Sequence, residues 1–469
     1  MNRDAPAIIS AGAAVSHRAL DEGVAEATGR LRLLGVREGT RVGLWAENSV
    51  EWIVIALAIA RAGGVLVPLN TRLADPEIEW QVSRAALPVI IASDALAARV
   101  VGANRVVSFG EWRALPAGDR TAAPGGDDAD RDAAIVFTSG TTGRPKGVVL
   151  TRGNQLASVR AAAAVLPLAP GDRWLASLPF FHVGGMGIIH RCLAAGACVV
   201  LPESFSGADL GRAIEKDGAT HLSVVDATLR RILEARGGRA LPDRVRAVVV
   251  GGGPVSPALV DVCPKALATY GLTETCAMVT LVRPGAPLAQ RTTAGQALPG
   301  IGLRIAEDGV IEVRGPTLMR GYLDDTMATM AAIHDGWLRT GDLGALDADG
   351  SLQVLSRRED LIISGGENVY PAEVEQALRE HADVADAVVF GVPDATWGEV
   401  PFAMVVLRQP GTPDLRAFLE PRLARFKLPR IVFAGEIPRL ANGKPDRVAV
   451  RASVNEMGSD PFSEPGKGI

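Results

Sequence analysis

Short, wholly apolar runs alternate with segments of helical period along most of this chain, and that exchange dictates its architecture. Leu20, Val24, Ala27, Leu31 and Leu34 recur at helical spacing, with Gly35 placed to stop the helix. Arg41 to Trp45 and Val65 to Val67 read as short buried strands flanking a helix through Trp52 and Ala60, and Pro68 closes the second strand. The pattern returns at Val199 to Leu201, Leu222 to Val225 and Ala247 to Val250. Repeated βα units predict an α/β fold in layers. From Ser356 the pattern changes to a strand at Asp360 to Ile363, a Gly365–Gly366 turn and a helix opened by Pro371. Strands at Ala387 to Phe390 and Phe402 to Leu407 follow, then a helical stretch from Leu415 to Phe426 that Pro421 breaks or kinks. These signals predict a large layered N-terminal domain over 1–355 and a small α+β C-terminal domain over 356–452. A disordered tail is expected over 453–469, where Gly, Pro, Ser and Asp collect.

Hydrophobic residues make up 48% of the chain and charged residues 22%, the balance of a globular protein with a large core. A net charge of −4 without any basic block gives nucleic acid no footing. The longest apolar run, Trp52 to Ala60, is about half of what spans a bilayer. Residues 5 to 15 contain Pro6 and do not make a signal peptide. Cys192, Cys198, Cys263 and Cys276 lack zinc or redox spacing and read as free, buried thiols. A cytoplasmic protein without membrane insertion is expected.

The chemistry concentrates at residues 138–147, which read Thr138, Ser139, Gly140, Thr141, Thr142, Gly143, Arg144, Pro145, Lys146 and Gly147. The apolar run Ala133 to Phe137 precedes this stretch, and Val148 to Leu150 resumes a strand pattern after it. Glycines let the backbone approach an anion and present N–H groups to it, hydroxyls add donors, and Lys146 adds charge. The Walker A spacing is absent, because Gly143 is followed by Arg-Pro-Lys-Gly. A Ser/Thr/Gly-rich hairpin turn is the plain alternative, but ten residues in this order favour a phosphate loop. Four more strings stand out: Gly251-Gly252-Gly253-Pro254, Tyr270-Gly271-Leu272-Thr273-Glu274, Thr340-Gly341-Asp342 and Ser356-Arg357-Arg358-Glu359-Asp360. Asn442-Gly443-Lys444 completes the series. Taken singly they are ordinary: a glycine turn, a surface ion pair, a Gly-Asp turn, a solvated lysine.

In this order, from about residue 10 to 450, the strings resemble the adenylate-forming superfamily of acyl- and aryl-CoA synthetases, amino-acid adenylation domains and firefly luciferases. That resemblance implies an adenylate-forming N-terminal domain and a mobile C-terminal lid. The implied reaction joins a carboxylate to the α-phosphate of ATP, expels pyrophosphate, then passes the acyl group to a thiol. Because two anions meet, developing charge has to be neutralised. By resemblance the 138–147 loop closes on the β- and γ-phosphates, and Glu274 is the ligand of Mg²⁺, a cation that prefers carboxylate and phosphate oxygen. Gly251, Gly252, Gly253 and Tyr270 flank the adenine, with Gly271 and Thr273 in the same nucleotide-binding string. Asp342 accepts from the ribose hydroxyls and Arg357 donates to the same sugar. Lys444 is the catalytic lysine of adenylation, so the lid must close to deliver it and reopen for thioester formation. The hinge position holds Glu359, where Asp, Lys or Ser would be more familiar.

Leu178 to Gly185 corresponds to the segment lining the acyl pocket in that family. Amino-acid adenylation domains carry Asp at the position of His182, so His182 points away from an amino acid. His182 to Arg191, Ala194 to Ala197, Thr220 to Val225 and Ile363 to Pro371 are similar to the o-succinylbenzoate–CoA ligases of menaquinone biosynthesis. Arg191 lies on a predicted apolar helix, where a charge is costly unless paired. Either an internal bridge to Asp or Glu pairs it, or it grips a second substrate carboxylate. The expected substrates are therefore ATP, CoA and a small aromatic carboxylic acid, foremost o-succinylbenzoate. Another aryl- or acyl-CoA ligase, or a non-catalytic nucleotide-binding regulatory protein, are the alternatives. The resemblance also admits a homodimer, and a separate carrier protein in place of CoA.

Overall fold

The computed structural model describes residues 2–99, 105–118, 128–138, 145–252, 255, 257–356, 361–438 and 449–451. Their contacts divide into two compact units. One holds the described residues up to 356 apart from 72–77, and the other holds 72–77 and those from 361 onward.

The first unit contains a nine-stranded sheet among its described residues. Its order is Gln296–Ala297, Ala277–Leu281, Ala266–Leu272, Ala247–Val250, His221–Val224, Arg173–Leu175, Cys198–Leu201, Pro6–Ser10 and Ala13–Ser16. The strands from Ala266–Leu272 across to Pro6–Ser10 are all parallel. Strands covered on both faces need apolar residues at every position, which explains the unbroken runs in the sequence. The chain leaves Arg173–Leu175 through the helix Val183–Ala195 to its neighbour Cys198–Leu201, then crosses to His221–Val224 on the other side. Open α/β sheets bind ligands beyond the carboxyl ends of their strands at such a reversal. Three of the strings singled out above leave these carboxyl ends: the start of Leu178 to Gly185, Gly251–Gly252 and Thr273–Glu274.

A second sheet, of seven strands among the described residues, follows the order Gly321–Tyr322, Lys146–Thr151, Asp132–Thr138, Val65–Pro68, Arg41–Trp45, Val89–Ala92 and Val106–Ser108. Strands Asp132–Thr138 and Lys146–Thr151 pair antiparallel with Thr138 opposite Lys146, so the glycine-rich string connects a hairpin. A smaller sheet is built on the long strand Trp337–Leu346, and Asp342 falls in its middle. Trp45, Trp52, Trp112, Trp174 and Phe180 are fully buried in this unit.

The first helix runs His17–Leu33, capped by Ser16, whose hydroxyl accepts from the Ala19 N–H at 3.1 Å. Gly35 follows it at φ +85°, where a side chain would be strained. The helix Val183–Ala195 ends on Gly196 at φ +67°, which turns the chain into Cys198–Leu201. Its start lies almost on the backbone of Pro179: a Cβ at Gly185 would stand 2.0 Å from the Pro179 carbonyl oxygen.

In the second unit, the hairpin Val384–Asp394 and Gly398–Leu407 is longer than the two runs expected from sequence. Asp394 explains the extension, because its carboxylate accepts the Thr396 and Trp397 N–H groups at 2.9 and 3.0 Å and closes a tight turn. The helix Leu415–Leu419 stops before Pro421, as that proline requires. Strands Ile362–Ser364, Glu367–Val369 and Arg430–Ala434 join the hairpin in a sheet of five strands among the described residues, on which the helix Pro371–Arg379 packs. The fold is thus α/β, with a large layered N-terminal part and a small C-terminal one. No helix among the described residues is long and apolar enough to cross a membrane. All four cysteines are free and buried.

Candidate functional site

Tyr270 lies beyond the point where its strand stops pairing with Ala247–Val250. Its hydroxyl donates to Asp342 Oδ2 at 2.7 Å, and both side chains are buried. Asp342 is set in turn by its own N–H, which donates to Thr340 Oγ1 at 3.1 Å, while the Thr340 hydroxyl donates to the Ile311 carbonyl at 2.9 Å. Gly271 sits at a bulge in the antiparallel pairing with Ala277–Leu281, where a Cβ would stand 1.6 Å from the Ala277 carbonyl oxygen. Gly251 and Gly252 end the adjoining strand, and Gly252 has φ +79°. The two strings expected to flank adenine and ribose therefore meet through one hydrogen bond.

Thr273 and Glu274 form a short 3₁₀ turn directly after Tyr270–Gly271–Leu272. The Glu274 carbonyl accepts the Met319 N–H at 2.8 Å, and its Oε1 accepts the Tyr322 hydroxyl at 2.9 Å. Lys146 Nζ lies over the same ring, 4.8 Å from its centroid. Tyr322 pairs across the sheet with Val148, two residues beyond Lys146, which puts both side chains within diagonal reach. No local pattern marks Tyr322, because its partners lie far away along the chain.

His182 is the N-cap residue of Val183–Ala195, and its ring meets Phe181 edge-on at 4.7 Å. Further along the same helix, Arg191 is 7% exposed. Its Nε donates to the Gly187 carbonyl at 2.8 Å, Nη1 reaches Met278 Sδ at 3.6 Å, and the guanidinium stacks 4.8 Å from the Trp174 ring centroid. Trp174 is also held by His221, stacked at 5.3 Å, and by its own Nε1–H, which donates to Ser223 Oγ at 3.1 Å. Among the described residues no carboxylate pairs with Arg191, and burial lowers its pKa to about 10, leaving it charged at neutral pH. The internal bridge weighed from sequence is not formed by them.

Arg191 opens on a cavity that it lines with Gln155, Ser158, Met186, His190 and Cys276. Burial, and then the charge of Arg191, lower the His190 pKa to about 4, so its imidazole is neutral. Gln155, Ser158 and His190 escaped the sequence analysis. His190 had a signal, since Met186 and His190 share the helical spacing of Gly187 and Arg191. The Ser158 hydroxyl donates to the Cys276 carbonyl at 2.8 Å, which ties the cavity wall to the segment carrying Glu274.

Ser139, Gly140, Thr141, Thr142, Gly143, Gly253, Arg357, Glu359 and Lys444 lie outside the described residues. No cluster of His, Cys, Asp or Glu able to hold a metal by itself occurs among the described residues. Glu274 alone suits Mg²⁺, which binds through one or two carboxylates and completes its shell with substrate phosphates and water.

Residues 1–323 match the AMP-binding enzyme family, and residues 373–444 match its C-terminal domain. The chain belongs to the AMP-binding enzyme family. Among its relatives, the 2-succinylbenzoate–CoA ligase of Geobacillus kaustophilus is 40% identical over 432 residues, covering 88% of each chain. A double mutant of o-succinylbenzoate CoA synthetase from Bacillus subtilis, solved with its product analogue, is 32% identical. It covers 96% of this chain and 95% of its own, with a TM-score of 0.90. The same Bacillus enzyme in complex with ATP and magnesium ion covers 96% of this chain and 97% of its own, at 32% identity and a TM-score of 0.73.

Proposed function

We propose that this chain is an o-succinylbenzoate–CoA ligase that makes an acyl-adenylate from the acid and ATP, then transfers the acyl group to CoA. A relative of that activity at 40% identity supports the reaction, and the buried guanidinium of Arg191, with no carboxylate partner among the described residues, is the observation that carries the substrate. o-Succinylbenzoate has two carboxylates, one to be activated and one to be held. A desolvated guanidinium with open donors is the natural partner for the second.

The phosphates enter at Lys146 and the 138–143 string, and the adenosine lies by Gly251, Gly252 and Tyr270, with its ribose on Asp342. Glu274 would hold Mg²⁺, which supplies charge neutralisation as pyrophosphate leaves. The substrate carboxylate attacks the α-phosphate with Lys444 bridging the two, and Arg357 supports the ribose. The CoA thiol then attacks the acyl carbon and AMP departs. Lys444→Ala is expected to abolish adenylation and largely spare thioester formation from supplied acyl-adenylate. ATP and CoA place the reaction in the cytoplasm.

The test is pyrophosphate release with Mg·ATP and CoA, comparing o-succinylbenzoate with benzoate, 4-hydroxybenzoate and medium-chain fatty acids. Selective, CoA-stimulated turnover of o-succinylbenzoate is expected. Preference for a monoacid would leave adenylation standing and remove the substrate assignment. ATP binding without pyrophosphate release for any acid would mark a regulatory protein.

A further inference from the structure

Lys146 and Glu274 carry opposite charges and both contact one tyrosine, yet neither is in an ion pair among the described residues. Left to themselves, an ammonium and a carboxylate this close to a common ring would close into a bridge and present a neutral pair to an incoming triphosphate. Tyr322 prevents that. Its π face holds the ammonium while its hydroxyl donates to the carboxylate, so each charge has a separate partner. The tyrosine is itself fixed. Its N–H donates to Thr329 Oγ1 at 2.8 Å, and that hydroxyl donates to the Asp325 carbonyl at 2.9 Å. On either side, Arg320 N–H donates to the Val149 carbonyl at 2.9 Å and Leu323 N–H to the Gly147 carbonyl at 2.7 Å. A side chain at Gly321 would force Thr329 to shift, since a Cβ there would meet Thr329 Oγ1 at 2.9 Å.

We propose that Tyr322 is a positioning residue for adenylation: a spacer that keeps the Lys146 ammonium and the Glu274 carboxylate apart and preset for a magnesium triphosphate. This rests on the reading of Lys146 and Glu274 as the phosphate and magnesium groups. Tyr322→Phe keeps the ring and removes the donor, whereas Tyr322→Leu removes both and lets the two charges meet.

The experiment is calorimetric binding of a non-hydrolysable ATP analogue with and without Mg²⁺, and of AMP, to the full chain and both variants. Tyr322→Leu should weaken the magnesium-dependent binding by about tenfold, with Tyr322→Phe in between, while AMP affinity and the melting midpoint hold. In steady state the KM for Mg·ATP should rise while the KM for the acid stays. Equal loss of AMP and Mg·ATP affinity would show a general disturbance and overturn the proposal, as would unchanged binding in Tyr322→Leu. Lys146→Ala and Glu274→Ala separate the two levels. If these leave magnesium-dependent binding intact, the phosphate site itself is misassigned; if they weaken it and Tyr322→Leu does not, only the spacer fails.

Discussion

The Tyr270 hydroxyl donates to Asp342 Oδ2 at 2.7 Å, joining the end of a parallel strand in one sheet to the middle of a long strand in another. The bond orients the ring expected beside adenine and the carboxylate expected beneath ribose at once. Tyr270→Phe should therefore weaken ATP binding by about threefold to tenfold and cost roughly 1–3 kcal/mol of stability, because a buried acceptor loses a donor. Nucleotide titration and urea unfolding check the two effects, and a change in stability alone would confine the bond to a structural role.

Arg191→Met gives a test in which function and stability move in different directions. The affinity for o-succinylbenzoate should fall by about a hundredfold with KM for ATP unchanged, as expected when a charge-assisted pair is lost. Unfolding free energy should hold or rise, since a buried charge with no carboxylate partner among the described residues is removed. A loss of about 3–5 kcal/mol would instead be the mark of a broken internal bridge.

Gly187→Ala probes the same guanidinium from beneath. An added Cβ would stand 2.8 Å from Arg191 Nη2, so the side chain has to shift away from the carbonyl it now binds. The expected result is a raised KM for the diacid with little change for a monoacid such as benzoate. An equal effect on both acids would mean that Arg191 does not read the second carboxylate.

Two histidines should make the fold acid-sensitive. Burial first and Arg191 second hold His190 at about 4, and burial first and Arg246 second hold His221 at about 4 against the pull of Asp172. Unfolded imidazoles titrate near about 6.5, so between those values the unfolded chain binds more protons than the folded one. Stability is then fully present above pH 6.5 and falls as the pH drops toward about 4. Urea midpoints across that window should show the slope, and His190→Phe should reduce it.

The strands at Arg41–Trp45 and Ala247–Val250 were legible because full burial demands continuous apolar runs, and the first helix because its inward residues kept their period. The helix bearing Arg191 was legible for the same reason. Asp342 was not placed by local pattern: Gly-Asp reads as a turn in isolation, yet the structure sets it inside Trp337–Leu346. The meeting of Tyr270 with Asp342, and of Lys146 with Glu274 across Tyr322, depends on which strands become neighbours. That is a long-range property which no window of sequence contains.

The reversal at Arg173–Leu175 bears on how such a protein can diversify. The helix that carries Arg191 and His190 is confined to one connection between adjacent strands, while Glu274, Tyr270 and Asp342 hang from others. On the function proposed above, redrafting this one crossover would let a lineage alter part of its acid preference, while Gln155, Ser158 and Cys276 hold the rest of the cavity wall from other elements.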